Sequence, residues 1–145
     1  MAYWLLKTEP GEYSFSDLEN DRTTTWSGVT NPLALKHLRG MKKGDLALIY
    51  HTGAEKMIVG IAEISRASYA EAKSRDPRLV VVDITAKEKL SHPVTLSVVK
   101  AKKQFAALEL VRLPRLSVMP VNKELWNFVT QQSQRSSAHN KGGET

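Results

Sequence analysis

The sequence predicts an α+β domain, and three observations lead there. Short apolar runs bounded by turn residues, at 3–6, 46–50, 58–64 and 79–84, have the length and the β-branched or aromatic character of strands. Two segments carry helix punctuation instead: Asn31-Pro32 opens one that Gly40 closes, and Asn122 opens another that reaches about Gln132. The chain has 145 residues, 41% of them hydrophobic, enough to bury one core and too few for two domains.

Taken in order, Tyr3-Trp4-Leu5-Leu6 is an apolar strand starting almost at residue 1, predicted to be central or well paired, and Pro10-Gly11 turns the chain after it. Ser16-Asp17-Leu18-Glu19 has the Ser-x-x-Glu form of a capping box and predicts about one helical turn. Thr23 to Thr30, with Trp26 followed by Ser27-Gly28, reads as a structured loop. It leads into a helix with Asn31 as N-cap and Pro32 at the first position, on which Ala34, Leu35, Leu38 and Met41 face inward and Lys36 and Arg39 point elsewhere. Leu46 to Tyr50 is apolar at every position, as in a strand covered on both sides; alternation then puts Tyr50 and His51 on opposite faces. Along 58–64, Gly60 and Ala62 leave room for a close neighbour. Residues 66–78 read as irregular, with a turn at Asp76-Pro77, and Asp83 in the next strand is a carboxylate that needs hydrogen-bond donors. Pro93 argues against a central strand, Thr95 caps a short helix over 96–99, and 108–111 reads as a strand. Residues 112–121, with two prolines, suit an edge strand or ordered loop. The domain is predicted to end at 132, followed by a disordered tail over 133–145.

Composition excludes several classes. With no cysteine there is no disulfide framework, thiolate metal site or cysteine nucleophile. His37, His51, His92 and His139 have no metal-ligand spacing, and no Gly-rich phosphate loop is present, so neither a metal nor a cofactor is expected. Ser97-Val98-Val99-Lys100 has the Ser-x-x-Lys form, but its partner motifs are missing. No run of 18 apolar residues and no signal peptide is found, which predicts a cytoplasmic protein without membrane contact. A net charge of +6 favours polyanionic partners.

The groups left for chemistry sit where apolar runs stop: Lys7 and Thr8, then Trp26, Ser27 and Asn31, then Tyr50, His51 and Thr52. If these ends meet, Trp26 with Tyr50 would stack on an unpaired base, Ser27, Asn31 and Thr8 would read its edge, and Lys7, Lys36, Arg39 and Lys42 would neutralise phosphate.

The motifs Tyr-Trp-Leu-Leu-Lys-Thr-Glu-Pro at 3–10, Thr-Trp-Ser-Gly-Val-Thr-Asn-Pro at 25–32, Leu-Arg-Gly-Met-Lys-Lys-Gly-Asp at 38–45, Tyr-His-Thr-Gly at 50–53 and Val-Gly-Ile-Ala at 59–62, with Val-Val-Asp-Ile at 81–84 and Leu-Ser-Val-Met-Pro-Val at 116–121, stand in an order that resembles the EVE domain family. The resemblance implies a PUA-like fold, a curved, mostly antiparallel β-barrel with short flanking helices, and kinship with YTH domains, which read methylated adenine in RNA. It implies a reader of modified bases in DNA or RNA rather than a catalyst. Residue by residue it assigns the base pocket to Trp26, Ser27, Val29, Asn31, Lys7, Thr8, Tyr50, His51, Thr52, Leu116 and Ser117. This chain departs from the family at Thr30, where arginine is common, and at 69–72, where Tyr-Ala-Glu-Ala replaces Tyr-Pro-Asp-Pro.

The leading expectation is a non-enzymatic, nucleic-acid-binding monomer or weak homodimer with no catalytic residue. The alternatives are an ASCH-like ribonuclease using Lys7 with Thr8 or Tyr50, or an RNA-modification-associated enzyme, and a general PUA-like RNA-binding adaptor.

Overall fold

The computed structural model describes the backbone of residues 1–143 and the side chains of residues 1–134. Its first strand, β1 (Tyr3–Thr8), lies between two partners, parallel to β3 (Leu46–His51) and antiparallel to β6 (Val118–Val121). Leu5, Leu6, Ala47, Leu48 and Ile49 are buried, which is what an unbroken apolar run requires of a strand covered on both faces. β4 (Met57–Ala70) and β5 (Val80–Thr95) complete the middle of the sheet, and β2 (Thr23–Trp26) flanks β5. The order is β2-β5-β4-β3-β1-β6, with β1 and β3 the one parallel pair among the described residues.

Helix α2 (Pro32–Gly40) touches β6 near one edge and β4 and β5 toward the other, so the sheet curls around it. The β-barrel implied by the resemblance is nevertheless not closed, because no ladder joins β2 to β6 among the described residues. Both edge strands have four residues, and Pro120 in β6 has no amide hydrogen with which to extend a ladder. The architecture is α+β, an open mixed sheet with flanking helices.

Several local expectations change. Thr23–Trp26 is a strand rather than a loop: three β-branched threonines satisfy their backbone groups against Asp83, Ile84 and Thr85 of β5. Helix α1 (Phe15–Asp21) is capped two residues earlier than predicted. Ser14 Oγ accepts from the Asp17 amide at 3.1 Å while the Asp17 carboxylate accepts from the Ser14 amide at 2.9 Å. β4 and β5 run well past their apolar runs, since charged residues such as Arg66, Glu88 and Lys89 keep the pairing going on a solvated surface. Pro93 fits inside β5 because the register slips between the Gly60–Lys89 and Ile58–Val94 pairs. Residues 108–111 form no strand. Glu109–Arg112 is a single helical turn, α4, with Leu110 buried and Pro114 close behind.

Thr95 caps α3 (Leu96–Lys100) through its hydroxyl, and Asn122 caps α5 (Lys123–Gly143) by accepting from the Leu125 amide at 2.8 Å. α5 continues past Gln132, and Ser133 is buried with its Oγ accepting from the His92 amide at 3.2 Å. Most of the predicted tail falls outside the described side chains. Asp83 finds its donors in Tyr69, at 2.6 Å, and Thr25, at 3.0 Å. No helix among the described residues is long and apolar enough to cross a membrane.

The space above Gly60 belongs to Phe15, whose ring is buried at the start of α1. A Cβ built on Gly60 would lie 2.5 Å from two atoms of that ring. Gly60→Ala is therefore expected to cost about 1–3 kcal/mol by overpacking, read as a lower midpoint in chemical denaturation with an unchanged slope.

Candidate nucleic-acid interface

The carboxyl ends of the parallel pair β1 and β3 bring the loop-end residues to one end of the sheet, but alternation sorts them onto two sides. Lys7 is in register with Tyr50, and Thr8 with His51. A bulge between Ile49 and Tyr50 shifts the β3 register against β4. Thr8 opens on the side of Trp26, whereas Lys7 and Tyr50 open on the other.

On the first side, a cavity of about 340 Å³ is lined by Thr8, Glu12, Tyr13, Thr24, Thr25, Trp26 and Ser27. Trp26 ends β2, and Gly28, at φ +81°, reverses the chain toward α2, a conformation that glycine adopts without a steric cost. The indole is 8% exposed, packed into the core and bordering the cavity. Tyr13 meets it edge to face, with ring centres 6.4 Å apart. The turn that delivers Tyr13 is fixed by the Thr8 hydroxyl, which donates to the Tyr13 carbonyl at 2.7 Å. The Tyr13 hydroxyl donates to Asp21 at 2.8 Å; burial and then the Asp21 and Asp17 carboxylates hold its pKa above the usual tyrosine value, against a lowering hydrogen bond with Thr24. The cavity therefore combines an aromatic corner, several hydroxyl groups and one exposed carboxylate, Glu12. Such a wall can hold a flat heterocycle and read its donors and acceptors.

On the second side, a depression of about 270 Å³ includes Lys7, Tyr50 and Thr52. Lys7 Nζ donates to the Pro114 carbonyl at 3.0 Å and lies 5.3 Å from the Tyr50 ring centre. Burial lowers the Lys7 pKa and raises that of Tyr50. Asn31 and Leu116 border a third cavity, of about 350 Å³, with Leu33, Arg112, Pro114 and Arg115. Pro114 thus separates two concave surfaces.

The sequence-predicted residues consequently divide. Trp26, Ser27 and Thr8 meet in one cavity, Lys7, Tyr50 and Thr52 in another, and Asn31 with Leu116 in the third. Val29 packs against the core, and the Ser117 carbonyl accepts from the Lys7 amide at 2.9 Å, tying β6 to the end of β1. His51 is buried between two partners. Its Nε2 accepts from the Phe15 amide at 3.0 Å, which leaves the proton on Nδ1, 3.0 Å from Glu55 Oε1. It holds the start of α1. Asn31 Oδ1 accepts from the Leu33 and Ala34 amides at 2.9 and 3.0 Å, so the amino end of α2 is capped by its own chain, as expected.

Lys36, Arg39 and Lys42 do not line the Trp26 cavity. They run from the middle of α2 toward the turn at Asp45, which adjoins the amino end of β1, and Arg39 Nη2 donates to the Arg78 carbonyl at 2.5 Å. Thr30 borders a separate hollow with Arg39, Asp76 and Arg78, while Tyr69 lies within β4 rather than in a rim loop. Glu12, Tyr13, Thr24 and Thr25 are the cavity residues that sequence reasoning missed. The threonine run is the available signal, since β-branched residues immediately before a tryptophan favour a strand. No group of three His, Asp or Glu side chains among the described residues is placed to hold a metal ion.

Several known proteins resemble this chain. The NMR structure of a Rhodopseudomonas palustris protein is 40% identical, with a TM-score of 0.87 over 92% of this chain and 94% of that one. Human THYN1, solved in complex with 5-methylcytosine-containing DNA, is 25% identical, with a TM-score of 0.82 over 92% of this chain and 98% of that one. Rat thymocyte nuclear protein 1 is 27% identical over 161 residues, covering 88% of this chain and 71% of the relative. The EVE domain matches residues 2–132, and this chain belongs to the EVE domain family.

Proposed function

We propose that this chain is a non-enzymatic nucleic-acid-binding domain that reads a modified base in the cavity bordered by Trp26. The observation that carries the reading is the placement of that indole, on a polar cavity of about 340 Å³, in a chain whose human relative was solved with methylated DNA. A base leaves its stack at a cost of a few kcal/mol in a duplex and less in a single strand, so single-stranded or weakened sites are preferred. Inside, the aromatic corner of Trp26 and Tyr13 meets the ring. The threonine and serine hydroxyls face its edge, and the Glu12 carboxylate is an acceptor suited to the exocyclic amine of a cytosine.

Matched oligonucleotides carrying cytosine or 5-methylcytosine, single- and double-stranded, test this at two salt concentrations. A preference for the modified strand that persists at the higher salt is expected, because base reading does not depend on counterion release. Equal affinities that fall together with salt would leave only an electrostatic adaptor. Glu12→Gln is expected to weaken the 5-methylcytosine-containing strands by about 1–2 kcal/mol, measured by isothermal titration.

The ribonuclease alternative has less support. Lys7 and Thr8 open on opposite sides of the sheet, and although Lys7 and Tyr50 share a depression, the Lys7 amine there donates to the Pro114 carbonyl and no carboxylate or histidine among its described lining residues completes a catalytic set. Purified protein is expected to leave single-stranded RNA intact.

A further inference from the structure

The depression on the Lys7 side has a charge pattern that base reading does not use. Three lysines from three different elements converge on it: Lys7 at the end of β1, Lys56 in the β3–β4 turn and Lys100 in the last turn of α3. No carboxylate among the described residues lines it. The ion pairs among the described residues are His51–Glu55, Arg78–Asp76 and Lys87–Glu63, and none involves these lysines. Of the nearby acids, Glu9 stands at the rim, where it accepts from the Thr52 hydroxyl at 3.2 Å, and Glu55 faces His51.

Like charges gathered around a concave surface repel unless an anion joins them. The backbone adds an independent observation. Lys56 has φ +45°, in the left-handed region that a side chain enters at a cost, and where glycine or asparagine would be the unstrained choice. Its carbonyl accepts from the Leu96 amide at 2.9 Å, which couples the turn to the helix carrying Lys100. The Tyr50 hydroxyl, on the same wall, has no hydrogen-bond partner among the described residues.

We infer that this depression binds a phosphate group, with Lys7, Lys56 and Lys100 as its charged ligands. The source is either a phosphodiester of the bound nucleic acid, in which case the inference rests on the proposed function, or a free phosphate or nucleotide. Lys7 and Thr8 are consecutive residues, so the phosphate site and the base cavity lie on opposite sides of one strand end.

The test uses the full chain and a variant carrying Lys56→Gly and Lys100→Gln. Glycine suits φ +45°, so the variant should melt no lower than the parent, and a loss of binding cannot be assigned to unfolding. In ¹⁵N amide spectra, pyrophosphate is expected to move the signals of residues 52–56 and 96–100, and the variant should need about tenfold more of it. Small uniform shifts that sodium chloride reproduces at equal ionic strength would overturn the inference.

The second arm titrates an abasic oligonucleotide, a sugar-phosphate strand with no base to read. If the occupant is a strand phosphate, the abasic strand displaces pyrophosphate, and the variant's salt slope falls by about 0.7 for each phosphate that the missing lysines no longer neutralise. Pyrophosphate binding with no competition from the strand would assign the site to a free phosphate. Because neither arm contains a base, both outcomes are independent of whether the Trp26 cavity reads one.

Discussion

Trp26→Leu is expected to abolish the preference for a modified base while leaving most of the salt-dependent affinity in place. The magnitude follows from exposure. Stacking on an aromatic ring contributes about 1–3 kcal/mol per base, and an indole only 8% exposed offers part of one face, which places the loss near the lower end. Affinity for the modified strand should therefore fall roughly five- to tenfold, while the unmodified strand changes little. Trp26→Ala would confuse the result, because emptying a buried tryptophan site costs about 3–5 kcal/mol of stability. Leucine keeps much of the core packing. Denaturation of both variants alongside the titrations separates lost reading from lost fold.

Asp45→Ala is expected to have the largest effect on stability among polar substitutions. The carboxylate is buried and accepts from the Ala2 amide at 3.1 Å, the Trp4 indole at 3.0 Å and the Lys42 amide at 2.9 Å. It ties the first residues of β1 to the turn that starts β3, so the parallel pair that carries the site depends on it. Alanine strands three donors, and a cost of about 3 kcal/mol follows, or roughly 6–12 °C in Tm for a domain of this size.

The same contacts give a pH signature. Burial alone would raise the Asp45 pKa, but the three hydrogen bonds and the nearby amino terminus outweigh it and leave the pKa below 3.8. A depressed carboxylate contributes stability above its unfolded pKa and loses it as pH falls through the folded value. The parent protein should therefore lose part of its stability below about pH 4, and Asp45→Asn should be less stable at neutral pH with a flatter acid limb. An unchanged acid limb would show that the carboxylate is not held as described.

Much of this arrangement is legible in the sequence because strong local signals agree with the tertiary structure. The apolar runs at 3–6 and 46–50 form the buried parallel pair, and Asn31-Pro32, Thr95 and Asn122 cap the helices they are expected to cap. What is not legible depends on pairing or on facing. The long β4–β5 ribbon has charged residues over half its length, so hydrophobicity marks only its buried part. Trp26 stands out by residue type, but its strand reads as a loop because a glycine two residues later outweighs the threonines before it. Lys7 and Thr8 are adjacent in sequence and read as one pocket, although a strand sends neighbouring side chains to opposite faces. His51 has the residue type of a pocket group, yet its partners, Phe15 and Glu55, are fixed by the position of α1, which no local pattern specifies.

The contact between Trp26 and a bound base is the point on which the functional account turns. An intermolecular NOE experiment on the protein with a short single strand containing one 5-methylcytosine reads it directly. The account predicts cross-peaks from the Trp26 indole protons to the base H6 or 5-methyl protons. Base cross-peaks confined to the Tyr50 side, with the Trp26 indole signals unmoved at saturation, would contradict it.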